Sequence, residues 1–292
     1  MYKIVKKRVL NEAICLMDVE AKRCAAHCKP GQFVIVRTDE GAERIPLTIC
    51  DYDAEKGLVT IVFQVVGAGT LRMFHMEEGE YLHDFTGPLG KASELTEESV
   101  ESLKSKKILF VAGGLGTAPV YPQVKYLHKL GVDADVIVGA KTKDILIMEE
   151  EMKAVAGNLY ITTDDGSYGR SGMVTKVISD LYEEGKKYDL CVAIGPMIMM
   201  KFVCKLTKEL DLPTIVSMNP IMVDGTGMCG ACRLIVGDEV KFACVDGPEF
   251  DGFLVDFDQA MKRQNLYKTE EGRKYLLEQE KETHHGGCGH CD

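Results

Sequence analysis

The sequence predicts an all-β unit joined to an α/β unit: an N-terminal antiparallel β-barrel, a Rossmann-like parallel α/β domain and a small cysteine-bearing segment behind them. Three observations carry this. Residues 1–100 read as short runs rich in β-branched residues, cut by Gly, Pro and Asp turns. From Lys106 onward, continuous apolar runs alternate with helical patterns. Three cysteines then crowd into residues 222–247.

In the first unit, "KPGQFVIVRT", "RIPLTICDYD" and "GLVTIVFQVVG" are the strand candidates. Their spacing suits a small antiparallel barrel or sandwich. "KASELTEESVESLKS" is polar and reads as a linker or a capped, exposed helix. The second unit, 101–217, opens with the buried-strand run "KKILFVAGG". It continues with the helix "APVYPQVKYLHKLG", the strand "ADVIVGA", the strand "NLYITTDDG" and a helix around "MVTKVISDLYEEG". "YDLCVAIG", "MIMMKFVCKLTKELD" and "PTIVSMN" close the alternation, which is that of a doubly wound sheet. The cysteine segment spans 218–250, and a charged helix and tail follow over 251–292.

At 292 residues and 46% hydrophobic, the chain is long enough for several cores. Its net charge of −10 argues against nucleic acid and anionic membrane surfaces. The N-terminus lacks the apolar core of a signal peptide, and no run approaches the roughly 20 apolar residues of a membrane span. A cytoplasmic protein is expected, in which 11 cysteines serve as thiols or metal ligands.

"VAGGLGTAP" falls where the first α/β strand turns into its helix. Gly113, Gly114 and Gly116, followed by Thr117, allow backbone to approach a phosphate at a helix N-terminus. Pro119 stands where a third glycine is usual. "TDDGSYGRSG", with Asp164 and Asp165, and "GPM", with Gly195, Pro196 and Met197, follow later strands. Ligands of open α/β sheets bind beyond the carboxyl ends of the strands, so three such loops converge on a nucleotide site. Asp-Asp-Gly is also a common turn former. Lys141, Lys143 and Asp144 leave NAD(H) against NADP(H) open.

The cysteine segment reads D-x₄-C-x₂-C-x₁₁-C: Asp224, Cys229, Cys232 and Cys244. Cys-x₂-Cys suits both zinc and iron–sulfur clusters. Plant-type [2Fe–2S] proteins use C-x₄-C-x₂-C, and here Asp224 takes the first cysteine's place. Glycines 225, 227 and 230 suit a loop wrapped around a cluster. These four residues are therefore the expected [2Fe–2S] ligands. The other reading makes Asp224 a turn residue and draws the fourth ligand from elsewhere. Cys191 and Cys204 read as buried small apolar residues. His284, His285, Cys288, His290 and Cys291 in the tail are a second metal-ligand candidate set or a plain terminus.

In this order of parts the chain resembles the ferredoxin–NADP reductase superfamily. With its cysteine segment it resembles the electron-transfer subunits of dihydroorotate dehydrogenase. It resembles still more the small subunits of NADH-dependent reduced ferredoxin:NADP⁺ oxidoreductase, the sulfide dehydrogenase group, in which an Asp/three-Cys cluster is a feature. The resemblance implies FAD held by "RIPLT" and "VVGAGT". Thr48 takes the hydroxyl position near flavin N5, and Leu47 stands beside Pro46 where tyrosine usually lies. Arg44 lies one residue further away than the family arginine, with Ile45 in its place. Gly67, Gly69 and Thr70 would hold the FAD pyrophosphate at a short helix, and the loop from Gly87 to Gly90 would close the flavin site. It also implies NAD(H) as the nucleotide, and a heterodimer with a larger flavin and iron–sulfur subunit. Ferredoxin would then be reached indirectly, in electron bifurcation. Dihydroorotate oxidation and a non-enzymatic nucleotide- and zinc-binding redox regulator are the rival expectations.

Overall fold

The computed structural model describes residues 1–284. Alternation of β-branched and polar residues produces the strands β1 (Tyr2–Asn11), β2 (Ile14–Glu20), β3 (Phe33–Arg37), β4 (Ile45–Asp53) and β5 (Leu58–Gln64), then β6 (Tyr81–Leu82) and β7 (Asp84–Leu89). All their pairings are antiparallel, in the order β6-β1-β2-β5-β4-β3-β7. The two end strands are separated in sequence by His83 alone, so the sheet curls into a nearly closed barrel. Val34, Val36, Leu47, Ile49, Ile61 and Phe63 fill its interior. Two short helices complete the unit: α1 (Lys22–Ala25), and α2 (Ala68–His75), which follows β5.

After α3 (Val100–Ser105), whose N-cap Ser99 accepts the Ser102 N–H at 3.2 Å, the α/β unit begins. Its strands are β8 (Ile108–Gly113), β9 (Asp135–Ala140), β10 (Asn158–Thr163), β11 (Arg170–Ser171), β12 (Leu190–Ile194) and β13 (Thr214–Ser217). Its helices are α4 (Thr117–Lys129), α5 (Glu149–Lys153), α6 (Val174–Glu183) and α7 (Met197–Glu209). The sheet order is β11-β10-β9-β8-β12-β13 with parallel pairing, so the order reverses between β8 and β12. That reversal opens the crevice in which such sheets bind ligands.

The cysteine segment folds onto this sheet. A hairpin, β14 (Arg233–Val236) with β15 (Glu239–Phe242), is followed by β16 (Glu249–Asp251), which pairs antiparallel with β13. Strand β16 straddles residue 250. Backbone bonds from Gly237 to Leu254 and from Asp256 to Ile235 continue the segment beyond it. Cys232, Leu234 and Cys244 share one core with Val216, Phe33 and Ile35, and so tie segment, sheet and barrel together. Helices α8 (Phe257–Gln264) and α9 (Lys268–His284) follow, with α9 packed on α2. Among the described residues no helix is long and apolar enough to cross a membrane.

Candidate functional site

Strand alternation sets the faces of β4. Leu47 pairs with Val34 and packs into the barrel core. Pro46 and Thr48 pair with Ile35 and Phe33 and share their outward face. Arg44 is exposed just before the strand. Two residues beyond Thr48, Cys50 is buried against Met148, with a sulfur–sulfur distance of 3.7 Å. It shares that contact layer with Leu115 and Ala118, from the glycine loop and α4. On the other side, the cluster loop leans on β3 and β7: a Cβ at Gly225 would stand 2.7 Å from Ile35 Cδ1 and 2.9 Å from Leu89 Cδ1. Strand β4, which carries Thr48, thus touches the nucleotide unit through Cys50 and lies beside β3, on which the cluster loop rests.

The nucleotide-loop glycines divide by role. A Cβ on Gly116 would meet Ile194 O at 2.1 Å, one on Gly113 would meet Met199 Sδ at 2.3 Å, and one on Gly195 would lie 3.1 Å from Gly113 N. These three let the β8 and β12 loops press together at the crevice. Gly114 has φ +53° and open space around it, so it is the glycine positioned to let a phosphate approach. Thr117 donates to Gly114 O at 2.9 Å and braces the turn, and Pro196 caps α7, in which Met197 is the first residue. Asp165 accepts from Ser167 N–H at 3.0 Å and from its hydroxyl at 2.7 Å. The Ser167 hydroxyl and N–H hold that carboxyl below the usual range, so Asp165 builds its own turn while Asp164 remains exposed.

In the barrel, the Thr70 hydroxyl accepts Val66 N–H and Gly67 N–H at 2.9 and 3.0 Å and returns a bond to Gly67 O. Thr70 therefore shapes the entry to α2. Gly67 has open space where a side chain would stand, a cradle that suits a diphosphate at a helix N-terminus. The Gly69 N–H donates to Glu43 Oε2 at 3.2 Å, and Lys274 of α9 pairs with Glu43 Oε1 at 2.5 Å. Glu43 was not visible in the motif: its partner is 26 residues away, and only the fold brings them together. Gly87 and Gly90 press onto β3, with Cβ positions 2.7 Å from Val34 Cγ1 and 2.9 Å from Phe33 Cε1.

The four cluster-loop donors form two contacting pairs. Asp224 accepts Thr226 N–H at 2.9 Å, and that donor, with the nearby Cys229, lowers its carboxyl. Cys244 N–H points at Cys232 Sγ at 3.4 Å. Burial, then the Cys232 side chain, push the Cys244 thiol up to about 12. Gly225, Gly227 and Gly230 all take positive φ, from +68° to +84°, which winds the loop tightly. Among the described residues no group of three or more His, Cys, Asp and Glu side chains is gathered for a single metal ion. Two pairs, with backbone N–H groups turned toward sulfur, fit a two-iron cluster with two protein ligands per iron. Cys191 and Cys204 are buried in the core. The tail candidates from His285 onward lie outside the described residues.

A barrel, a parallel nucleotide sheet and a cysteine segment packed into shared cores define a ferredoxin–NADP reductase-like oxidoreductase subunit. Residues 219–256 match the iron–sulfur cluster binding domain of dihydroorotate dehydrogenase B, and residues 110–205 match the oxidoreductase NAD-binding domain. A Thermotoga maritima protein named as a homolog of the dihydroorotate dehydrogenase B (NAD⁺) electron-transfer subunit is 43% identical over 272 residues, 93% of each chain. An uncharacterized Clostridium beijerinckii protein is 60% identical over 291 residues, covering 99% of this chain and 98% of that one. A solved structure of the NADH-dependent reduced ferredoxin–NADP oxidoreductase, described for flavin-based electron bifurcation, superposes with a TM-score of 0.86. It is 40% identical and covers 95% of this chain and 97% of that one. The chain belongs to the family of dihydroorotate dehydrogenase B-type electron-transfer subunits.

Proposed function

We propose that this chain exchanges electrons between NAD(H) and a larger flavin and iron–sulfur partner subunit, in an NADH-dependent ferredoxin:NADP⁺ oxidoreductase of the electron-bifurcating kind. The observation that carries this is that strand β4, which carries Thr48, meets the nucleotide unit at Cys50 while its neighbour β3 bears the cluster loop. When bound, FAD supplies hydride exchange with the nicotinamide and single-electron exchange with the [2Fe–2S] cluster.

The protein's part is positioning. Gly114 and the N-terminus of α4 would take the nucleotide diphosphate, and Met197 with Pro196 would border the nicotinamide end. Gly67 and the α2 N-terminus would take the flavin diphosphate, with Arg44 at the rim. The Thr48 hydroxyl would hydrogen-bond the flavin edge. Asp224, Cys229, Cys232 and Cys244 would ligate the irons, and binding must remove the proton from Cys244. In this reading the chemistry of any small organic substrate falls to the partner.

The test is an anaerobic NADH titration of the purified chain followed by visible absorbance. Bleaching of flavin bands and of a broad iron–sulfur shoulder is expected. A protein that stays colourless after anaerobic reconstitution would sink the relay and favour a zinc-binding regulator. Co-purification with the partner then separates the two enzyme readings. Turnover with NADPH and ferredoxin supports bifurcation, whereas turnover with dihydroorotate replaces it with pyrimidine synthesis.

A further inference from the structure

Glu249 stands on β16, where barrel, nucleotide unit and cluster segment meet. Its Oε1 accepts Gln123 Nε2 of α4 at 2.6 Å. Ser93, in the connection after the barrel, donates to Gln123 Oε1 at 3.2 Å, and its hydroxyl stands near enough to the Glu249 carboxyl to favour the charged form. Gly31, two residues before Phe33, closes the barrel side: a Cβ there would stand 3.2 Å from Glu249 Oε1 and 2.8 Å from Ser93 N. The second oxygen, Oε2, is sealed from solvent and has no hydrogen-bond partner. A charged carboxylate with an orphaned buried oxygen is costly, and a proton removes that charge.

We propose that Glu249 is a redox-linked proton site, which binds a proton when negative charge enters the neighbouring flavin and cluster centres and releases it when the electrons leave. The proposal rests on the electron-transfer reading above. The site's neighbourhood gives it this property. From the connection, Glu94 adds like charge and Ser93 a hydroxyl. From α4 comes the Gln123 amide. From β13 comes the Ser217 backbone pairing, and the β16 neighbour Asp251 pairs with Ile215. Burial outweighs the lowering by Ser93 and Gln123, and Glu94 adds to the rise, so the carboxyl is raised to about 7. A carboxyl poised there responds to one more charge in a poorly screened interior. The step balances simply: an electron arrives at a centre, a solvent proton joins the Glu249 carboxylate, and both leave on reoxidation. Phe33, two residues from Gly31, pairs directly with Thr48, and Cys244 lies five residues upstream of Glu249.

Infrared spectroscopy and redox titration of the full chain test this. In the cofactor-free chain, the C=O band of a protonated carboxyl should titrate near neutrality and be absent from Glu249→Gln. In the loaded chain, the one-electron midpoint of the cluster should fall as pH rises through neutrality, and E249Q should lose that dependence. Should E249Q not fold, Gln123→Leu serves: it keeps the carboxyl, removes a donor and should move the band's titration to higher pH. A chain that binds neither cofactor sinks the electron-transfer reading and the redox linkage with it, while the band in the cofactor-free chain still reports the proton. A missing band, titration in the ordinary carboxylate range, or an E249Q midpoint with wild-type pH dependence overturns the proton site itself.

Discussion

Of the three cysteines in the cluster loop, Cys229 is exposed while Cys232 and Cys244 are 2% exposed each. A ligand loop with one open corner lets iron and sulfide enter from that side. Replacing Asp224, Cys229, Cys232 or Cys244 by Ala should each remove most of the iron and sulfide, measured by chemical assay and visible absorbance. Cys191→Ala should retain it, because Cys191 only fills core space. Glu43 gives a second residue-scale prediction. Its carboxylate holds the Gly69 N–H at the helix end that the flavin diphosphate would use. Glu43→Gln should therefore tighten FAD retention by roughly two- to five-fold, the equivalent of about 0.3–1 kcal/mol at a helix N-terminus, read by fluorescence titration. For Glu249, the ordinary value is 4.5 and the folded value about 7. Between them the folded chain binds the extra proton, so stability is full at low pH and falls as pH rises through about 7. The span amounts to about 3 kcal/mol. Denaturant melts between about pH 5 and pH 8 should show this slope in the wild type, with a flatter profile in E249Q.

At the level of elements, the buried strands and their helices were legible because apolar period and glycine punctuation act locally: "ILFVAG" became β8 and "VTKVISDLYE" became α6. The division of labour among the loop glycines was not legible, since it depends on β12 lying beside β8, some eighty positions apart in the chain. The same holds for Gln123, Ser93 and Glu249, which no motif links. Thr70 and Asp165 were read as ligand residues from their motifs, and the fold also gives each a local turn to build. The glycine roles can be separated experimentally. Gly116→Ala forces a Cβ to 2.1 Å from Ile194 O and should cost at least 1–3 kcal/mol, roughly the range for overpacking. Gly114→Ala meets no neighbour but must hold φ +53°, at about 1–2 kcal/mol. Its larger effect should be on NADH affinity, measured by calorimetry.

Across the whole molecule, the units share cores rather than linkers. Cys50, Leu115 and Met148 bind barrel to nucleotide unit, aided by the Lys125–Asp51 pair at 2.5 Å, and β16 binds the cluster segment to the sheet. Cutting the chain after Ser217 should therefore unsettle the nucleotide unit as well as remove the cluster: a bare β13 edge and an opened core predict aggregation or a lowered Tm. Cutting after Tyr267 removes α9 with the residues that follow it and should leave the Tm within a few degrees while altering FAD retention, because Lys274 no longer holds Glu43. Differential scanning calorimetry of both truncations separates these outcomes.

The strand that covers the β13 edge is made after every other strand of that sheet. During synthesis, the nucleotide unit must wait with an unpaired edge until the cluster segment has emerged and folded back. Completion of the pyridine-nucleotide module is thereby tied to arrival of the iron-binding loop.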